Sequence, residues 1–176
     1  MPLVHPRIGR PVPPTIHPLS LEAMDVDYRS FTNTFGLAAW PSANRALFYP
    51  FAISEPAKAL KMYVANASVV SGNIDLGIYT DAGVRLTSSG STAQAGSQLI
   101  QLVDVADVWL APFTTYYVAM VADGTTGTYA RWSGATPGGA GMFQAASSFP
   151  LPATVTFARD ATGYLSLCGV SFVETL

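Results

Sequence analysis

The sequence predicts an all-β protein, an antiparallel β-sandwich of jelly-roll type preceded by an extended, proline-rich N-terminal arm. Three observations predict it. Apolar and polar residues alternate with a period of two through much of residues 58–122, the signature of half-buried strands. Glycine-rich breaks cut the chain into many short segments at roughly even spacing, with no βαβ crossover between them. Six of the thirteen prolines crowd into residues 1–19, a stretch that therefore suits neither a helix nor a central strand.

The arm comes first. Pro2, Pro6, Pro11, Pro13, Pro14 and Pro18 each fix φ and push the preceding residue toward extended geometry, so residues 1–19 read as polyproline-like. The ionisable groups there are Arg7, Arg10, His5 and His17, with no acid among them. A bare spacer has no use for interspersed apolar side chains, yet they are present. Leu3, Val4, Arg7, Ile8, Arg10, Val12 and Ile16 are therefore the candidate partner-binding residues of an arm that orders on a neighbour. Residues 20–176 form the β-sandwich domain, long enough to bury a core without staples.

Within the domain, Leu60, Met62 and Val64 alternate with Lys61, Tyr63 and Ala65, and Ile74, Leu76 and Ile78 alternate with Asp75, Gly77 and Tyr79. Asp81, Ala82 and Gly83 then form a short turn, and Val84, Arg85 and Leu86 return as the second strand of a hairpin. Residues 99–105 and 113–122 read as strands, the latter rich in the β-branched and aromatic types that suit a pleated surface. Residues 128–132, 141–145, 154–158 and 164–173 complete the series. Helix is expected only as single turns, at residues 21–24 after Ser20 as N-cap and at residues 106–110.

Composition bounds the function. Charged residues make up 11% of the chain, against about 25% in an ordinary globular protein, and hydrophobic residues reach 49%. Such a chain offers neutral, readily desolvated surface, which favours an assembly subunit over a free enzyme. The longest clean apolar stretch, residues 116–122, is far short of the roughly 20 residues of a membrane helix. Net charge is −2 with no cluster of Lys or Arg, so neither a membrane nor a nucleic acid is an expected partner. The first ten residues lack the apolar core of a secretory signal, which predicts synthesis in a cytosol.

Motifs for chemistry are sparse. The two histidines, His5 and His17, lie on the arm, and no Gly-x-Ser-x-Gly elbow occurs, so no catalytic residue is nominated. One cysteine, Cys168, in an apolar run reads as a small buried hydrophobe, and with two arm histidines it makes no closed metal site. Asp25, Asp27 and Asp123 beside Gly124 are conceivable calcium ligands, although turns collect Asp for their own backbone bonds. No carboxylate pair is nominated by a local motif, and the glycine-rich residues 134–141 lack the Lys-Ser or Lys-Thr of a phosphate loop. No cofactor is expected. Trp40, Trp109 and Trp132, with Tyr79 and Tyr129, are candidates for a sugar-stacking platform, against the commoner role of aromatics as core. Asn66-Ala67-Ser68 matches a glycosylation triplet but has no secretory context.

The stretch Ser71-Gly-Asn-Ile-Asp-Leu-Gly-Ile-Tyr-Thr-Asp-Ala-Gly-Val-Arg-Leu, with Leu110-Ala-Pro-Phe-Thr-Thr-Tyr-Tyr-Val-Ala-Met, resembles a β-sandwich pattern of tailed-phage and prophage structural proteins. There, a strand ending in Gly-Ile-Tyr leads through Asp-x-Gly into a hairpin, and a later turn that usually holds glycine opens the next strand. Phe113 and Thr114 stand at that glycine's place here. The resemblance covers roughly residues 45–125 and implies a capsid decoration, head-fibre, tail or baseplate component located in the virion. It implies a homo-oligomer, most simply a trimer, whose arm laces onto other virion proteins. A carbohydrate-binding tip of a fibre is the alternative, and a polysaccharide-degrading enzyme stands third.

Overall fold

The computed structural model describes residues 36–132, 142–146 and 148–172. The arm with its candidate partner-binding residues, the expected helical turn at residues 21–24, Asp25, Asp27 and both histidines lie outside the described residues. Among the described residues, thirteen strands follow in order: β1 (Gly36–Ala39), β2 (Ala46–Phe51), β3 (Ala57–Ala65), β4 (Asn73–Thr80), β5 (Arg85–Ser88), β6 (Thr92–Ala93), β7 (Ile100–Leu110), β8 (Tyr116–Ala122), β9 (Thr128–Trp132), β10 (Phe143–Ala145), β11 (Ala158–Arg159), β12 (Leu165–Ser166) and β13 (Cys168–Ser171). The fold is all-β, with no helix among the described residues and every ladder antiparallel.

The largest sheet runs β11-β10-β2-β8-β4-β5 with β6 also on β4; a second runs β13-β3-β7 and a third β1-β9-β12. Side-chain alternation decides where the core sits. Leu47 and Tyr49 of β2, Ile74, Leu76 and Ile78 of β4, and Val118 and Met120 of β8 share one core with Ala59, Met62 and Val64 of β3 and with Cys168 and Val170 of β13. The opposite face of the large sheet is also covered. Ala46, Phe48, Tyr79, Ala119 and Val121 pack with Leu151, Phe149, Val155 and Phe157 from a strap at residues 148–158. Each large apolar side chain so buried contributes about 1.5–3 kcal/mol relative to exposure. Strands buried on both faces lose the polar half of their alternation, which is why β2 and β8 read as near-continuous apolar runs.

The β4–β5 hairpin forms as its residues dictate. Ile78 pairs Thr87 and Tyr79 pairs Arg85 across the turn. Gly83 sits at φ 75°, and a Cβ there would collide with the Val155 carbonyl of the strap, so glycine is required twice over.

Three expectations are corrected. Residues 106–110 are not a helical turn; they finish β7. Ala59 pairs Val108 while Lys61 pairs Asp104, so Leu60 alone faces Val105, Ala106 and Asp107 in a bulge. The bulge sets Val105 and Val108 three apart on the core side, a spacing that imitates a helix. Residues 154–158 are not one strand: 154–157 end the strap, joined to the sheet's backbone by one bridge, Val84 to Thr154, and Ala158 opens the two-residue β11. Residues 164–173 are not one strand. Buried Leu167 hands the chain from β12, paired with β9, to β13, paired with β3. Strands β1 and β2 were nominated by no alternation in the sequence.

Candidate functional site

The most exposed large apolar side chains belong to one end of β7. Leu110 points into the core, so strict alternation turns Trp109 outward, where it is 68% exposed. The chain then turns into β8 through residues 111–115. Ala111 N–H donates to the Tyr116 hydroxyl at 2.9 Å, and Phe113 N–H donates to the Ile53 carbonyl at 2.8 Å. Phe113 adopts φ 55° and is 83% exposed. A bulky residue in the left-handed region is a backbone outlier costing about 1–2 kcal/mol. Glycine would remove that cost. The strain therefore holds an aromatic ring in solvent.

Around Trp109 lies a small charged lattice. Lys58 stands directly across from Trp109 and its Nζ lies 2.5 Å from Asp107; Lys61 stands across from Asp104 at 3.4 Å. No sequence motif singles out these four residues as a site. One signal was visible: Lys58 and Lys61 are both of the chain's lysines, and they share one strand.

A second cluster fastens the strap. The fully buried Asp75 carboxylate accepts from Leu151 N–H at 2.9 Å and from the Ser89 hydroxyl at 3.1 Å. The Arg85 guanidinium donates to the Leu151 carbonyl, and the Tyr79 hydroxyl donates to the Pro152 carbonyl. Burial raises the Asp75 carboxyl above its ordinary range, against the lowering pull of the Leu151 N–H, the Ser89 hydroxyl and Arg85. Beside the strap, an open cleft of about 450 Å³ is lined by Arg45, Gln144, Ser148, Thr154, Val155 and Thr156 among others, with no carboxylate in its lining.

The remaining candidates take structural places. Trp40 is no part of a sugar platform: it is buried edge-on between Tyr129 at 5.7 Å and Tyr164 at 5.3 Å, its indole N–H donating to the Arg45 carbonyl. Tyr79 and Tyr129 are likewise buried. Of Trp132 only the backbone, in β9, is described. Trp109 alone of the three tryptophans shows a described ring to solvent. Asp123 spends both oxygens on Asn73, accepting from its N–H and from its side-chain amide. That is turn closure, and no three potential metal-ligating groups converge among the described residues. Asn66 of the glycosylation triplet is buried, donating to the Ala95 carbonyl and accepting from Gln94. Cys168 is buried, and burial pushes its thiol far up.

Comparison of the chain with protein-family models, curated proteins and solved structures finds no match in any of the three.

Proposed function

We propose that the chain is a non-enzymatic structural protein of a tailed-phage particle, a capsid decoration or a tail or fibre component. Its β-body self-associates, and residues 1–19 dock it on neighbouring virion subunits. The observation that carries this reading is Phe113, an aromatic ring held in solvent on a backbone conformation that favours glycine. Stored strain at an exposed side chain points to a contact made with another molecule. Trp109, four residues earlier and also exposed, adds the kind of anchor that dominates protein interfaces.

The finer fold in this proposal is a jelly-roll β-sandwich, and strand pairing supports it. β2 pairs β8 in the large sheet while β3 pairs β7 in the facing one. The chain thus crosses between sheets from β2 to β3 and returns from β7 to β8, as a ribbon folded over itself does. The residues on which the phage resemblance rests form the β4–β5 hairpin and the turn into β8, and a hairpin followed by a strand-opening turn is in keeping with this reading.

The alternative, a carbohydrate-binding module of a fibre, is favoured by Trp109 with Lys58 and Asp107 beside it, a ring flanked by hydrogen-bonding groups. The deciding experiment compares the full chain with residues 20–176 for binding to particles that lack the protein. Loss of attachment with an unchanged melting temperature supports the docking arm. Unchanged attachment overturns it, and a lowered melting temperature with aggregation means that the arm covers an edge of its own sheet.

A further inference from the structure

We infer that the cleft beside the strap is a binding site for an acidic saccharide, a sugar chain bearing carboxylates, with Arg45 as the group that holds the acid. None of the described residues lining it lies on β7 or in the turn after β7, so the site is distinct from the exposed Trp109 and Phe113.

Arg45 stands apart from the other described cations. Lys58 reaches Asp107, Lys61 reaches Asp104, Arg85 donates to the Leu151 carbonyl, Arg131 lies over the Tyr164 ring, and Arg159 is also engaged. The Arg45 guanidinium makes no hydrogen bond or ion pair among the described residues, although the residue is half-buried. A guanidinium partly withdrawn from water gains most from a carboxylate, which accepts two of its N–H groups at once. No carboxylate belongs to the described lining, so an anion entering the cleft meets no like charge there.

Both walls are held by backbone bonds, which makes the site before a ligand arrives. Arg45 closes a turn, its N–H donating to the Ser42 carbonyl at 3.2 Å, and its own carbonyl accepts from the Trp40 indole at 2.9 Å. Ser148 N–H donates to the Asn44 carbonyl at 2.7 Å, which fixes the start of the strap beside Arg45. Val155 N–H donates to the Gly83 carbonyl at 2.8 Å and Thr154 bridges Val84, so the far end of the strap is pinned to the β4–β5 turn. Thr154 and Thr156, on either side of Val155, line the cleft with hydroxyls that bond to no described residue. Each hydroxyl both donates and accepts, as the hydroxyls of a sugar do. Small apolar groups such as Ala145, Pro152 and Val155 complete the lining and suit the C–H face of a sugar ring. The volume of about 450 Å³ lies within the roughly 300–1,000 Å³ of small-ligand sites. An extended acidic peptide fits less well, because the sheet edge at the cleft, β11, offers it only Ala158 and Arg159 to pair with.

Isothermal titration calorimetry on the full chain tests this. The probes are a glucuronic acid oligosaccharide, a glucose oligosaccharide of the same length, inorganic phosphate and a glutamate oligopeptide. The acidic saccharide should bind saturably, and the other probes about tenfold more weakly or not at all. Arg45→Gln should lower the affinity for the acidic saccharide by about tenfold or more, with circular dichroism and melting temperature unchanged. Should Arg45→Gln fail to fold, Thr154→Val with Thr156→Val, which keeps the guanidinium, should weaken binding by about threefold or more. No binding of the acidic saccharide overturns the inference, as does unchanged binding by folded Arg45→Gln or by the double threonine variant. Equal binding of the glucose oligosaccharide overturns the role of the carboxylate. Equal binding of phosphate overturns the saccharide and leaves a general anion site, and equal binding of the glutamate oligopeptide overturns it in favour of a protein partner.

Discussion

Replacing Phe113 by glycine should stabilise the isolated body while weakening its association. Phe113 holds φ 55°, a conformation that costs a side-chain-bearing residue about 1–2 kcal/mol. Glycine removes that cost but gives the unfolded chain more freedom, which returns roughly 0.5–1 kcal/mol. Little burial is lost, because the ring is 83% exposed. The net gain is at most about 1.5 kcal/mol, or a rise of up to about 3–6 °C in melting temperature for a domain of this size. Asn44 and Gln98, the other described non-glycine residues with positive φ, set the contrast. Asn enters the left-handed region with several-fold enrichment, whereas Phe has no such preference. The assay is a pair of thermal melts and a pair of sedimentation runs on the full chain. Phe113→Ala serves as a control that removes the ring and keeps most of the strain. A fall of several degrees for Phe113→Gly would show instead that the ring packs within its own chain.

Other predictions concern the interior. Asp75→Ala leaves the Leu151 N–H buried without an acceptor and should cost about 1–3 kcal/mol in chemical denaturation, whereas Asp75→Asn keeps an acceptor and should cost less. Because burial raises the Asp75 carboxyl, the folded state holds that proton more tightly than the unfolded chain. Its contribution is therefore fully present below the ordinary carboxylate range and is lost as pH rises through the raised folded value. Denaturation curves over that interval should show the slope in the unaltered chain and its loss in Asp75→Asn. Cys168 should resist a thiol reagent in the native protein and react once guanidinium unfolds it; rapid native labelling would contradict its burial. Gln94→Ala removes the acceptor of Ser71 N–H and the donor to Asn66 and Thr128, so amide exchange should quicken in residues 94–99 ahead of the rest.

Much of the fold was legible where one rule acted alone. The β4–β5 hairpin needed only alternation and a glycine turn, and both are written locally. β2 was not legible, because burial on two faces erases alternation, and the second face is closed by a strap about a hundred residues away in sequence. The end of β7 was misread because its bulge changes the spacing of core residues from two to three, a change set by pairing with β3. Trp40 could not be told from Trp109 by type; Trp40 follows β1 and packs between Tyr129 and Tyr164, whereas Trp109 lies on the outward side of β7. Phe113 was visible as a departure from a glycine pattern, but its meaning required φ. The two lysines on one strand were visible in the sequence, but their acidic partners were not. Lys61 and Asp104 are 43 residues apart, and only the β3–β7 register brings them together.

The proposed function makes this chain a built part of a phage particle. Quantitative mass spectrometry of purified particles from a culture producing the protein tests it most directly. The chain should be found at a fixed ratio to the major shell or tail protein, unchanged through a density gradient. Finding it only in the particle-free fraction, with intact particles recovered, would contradict the account.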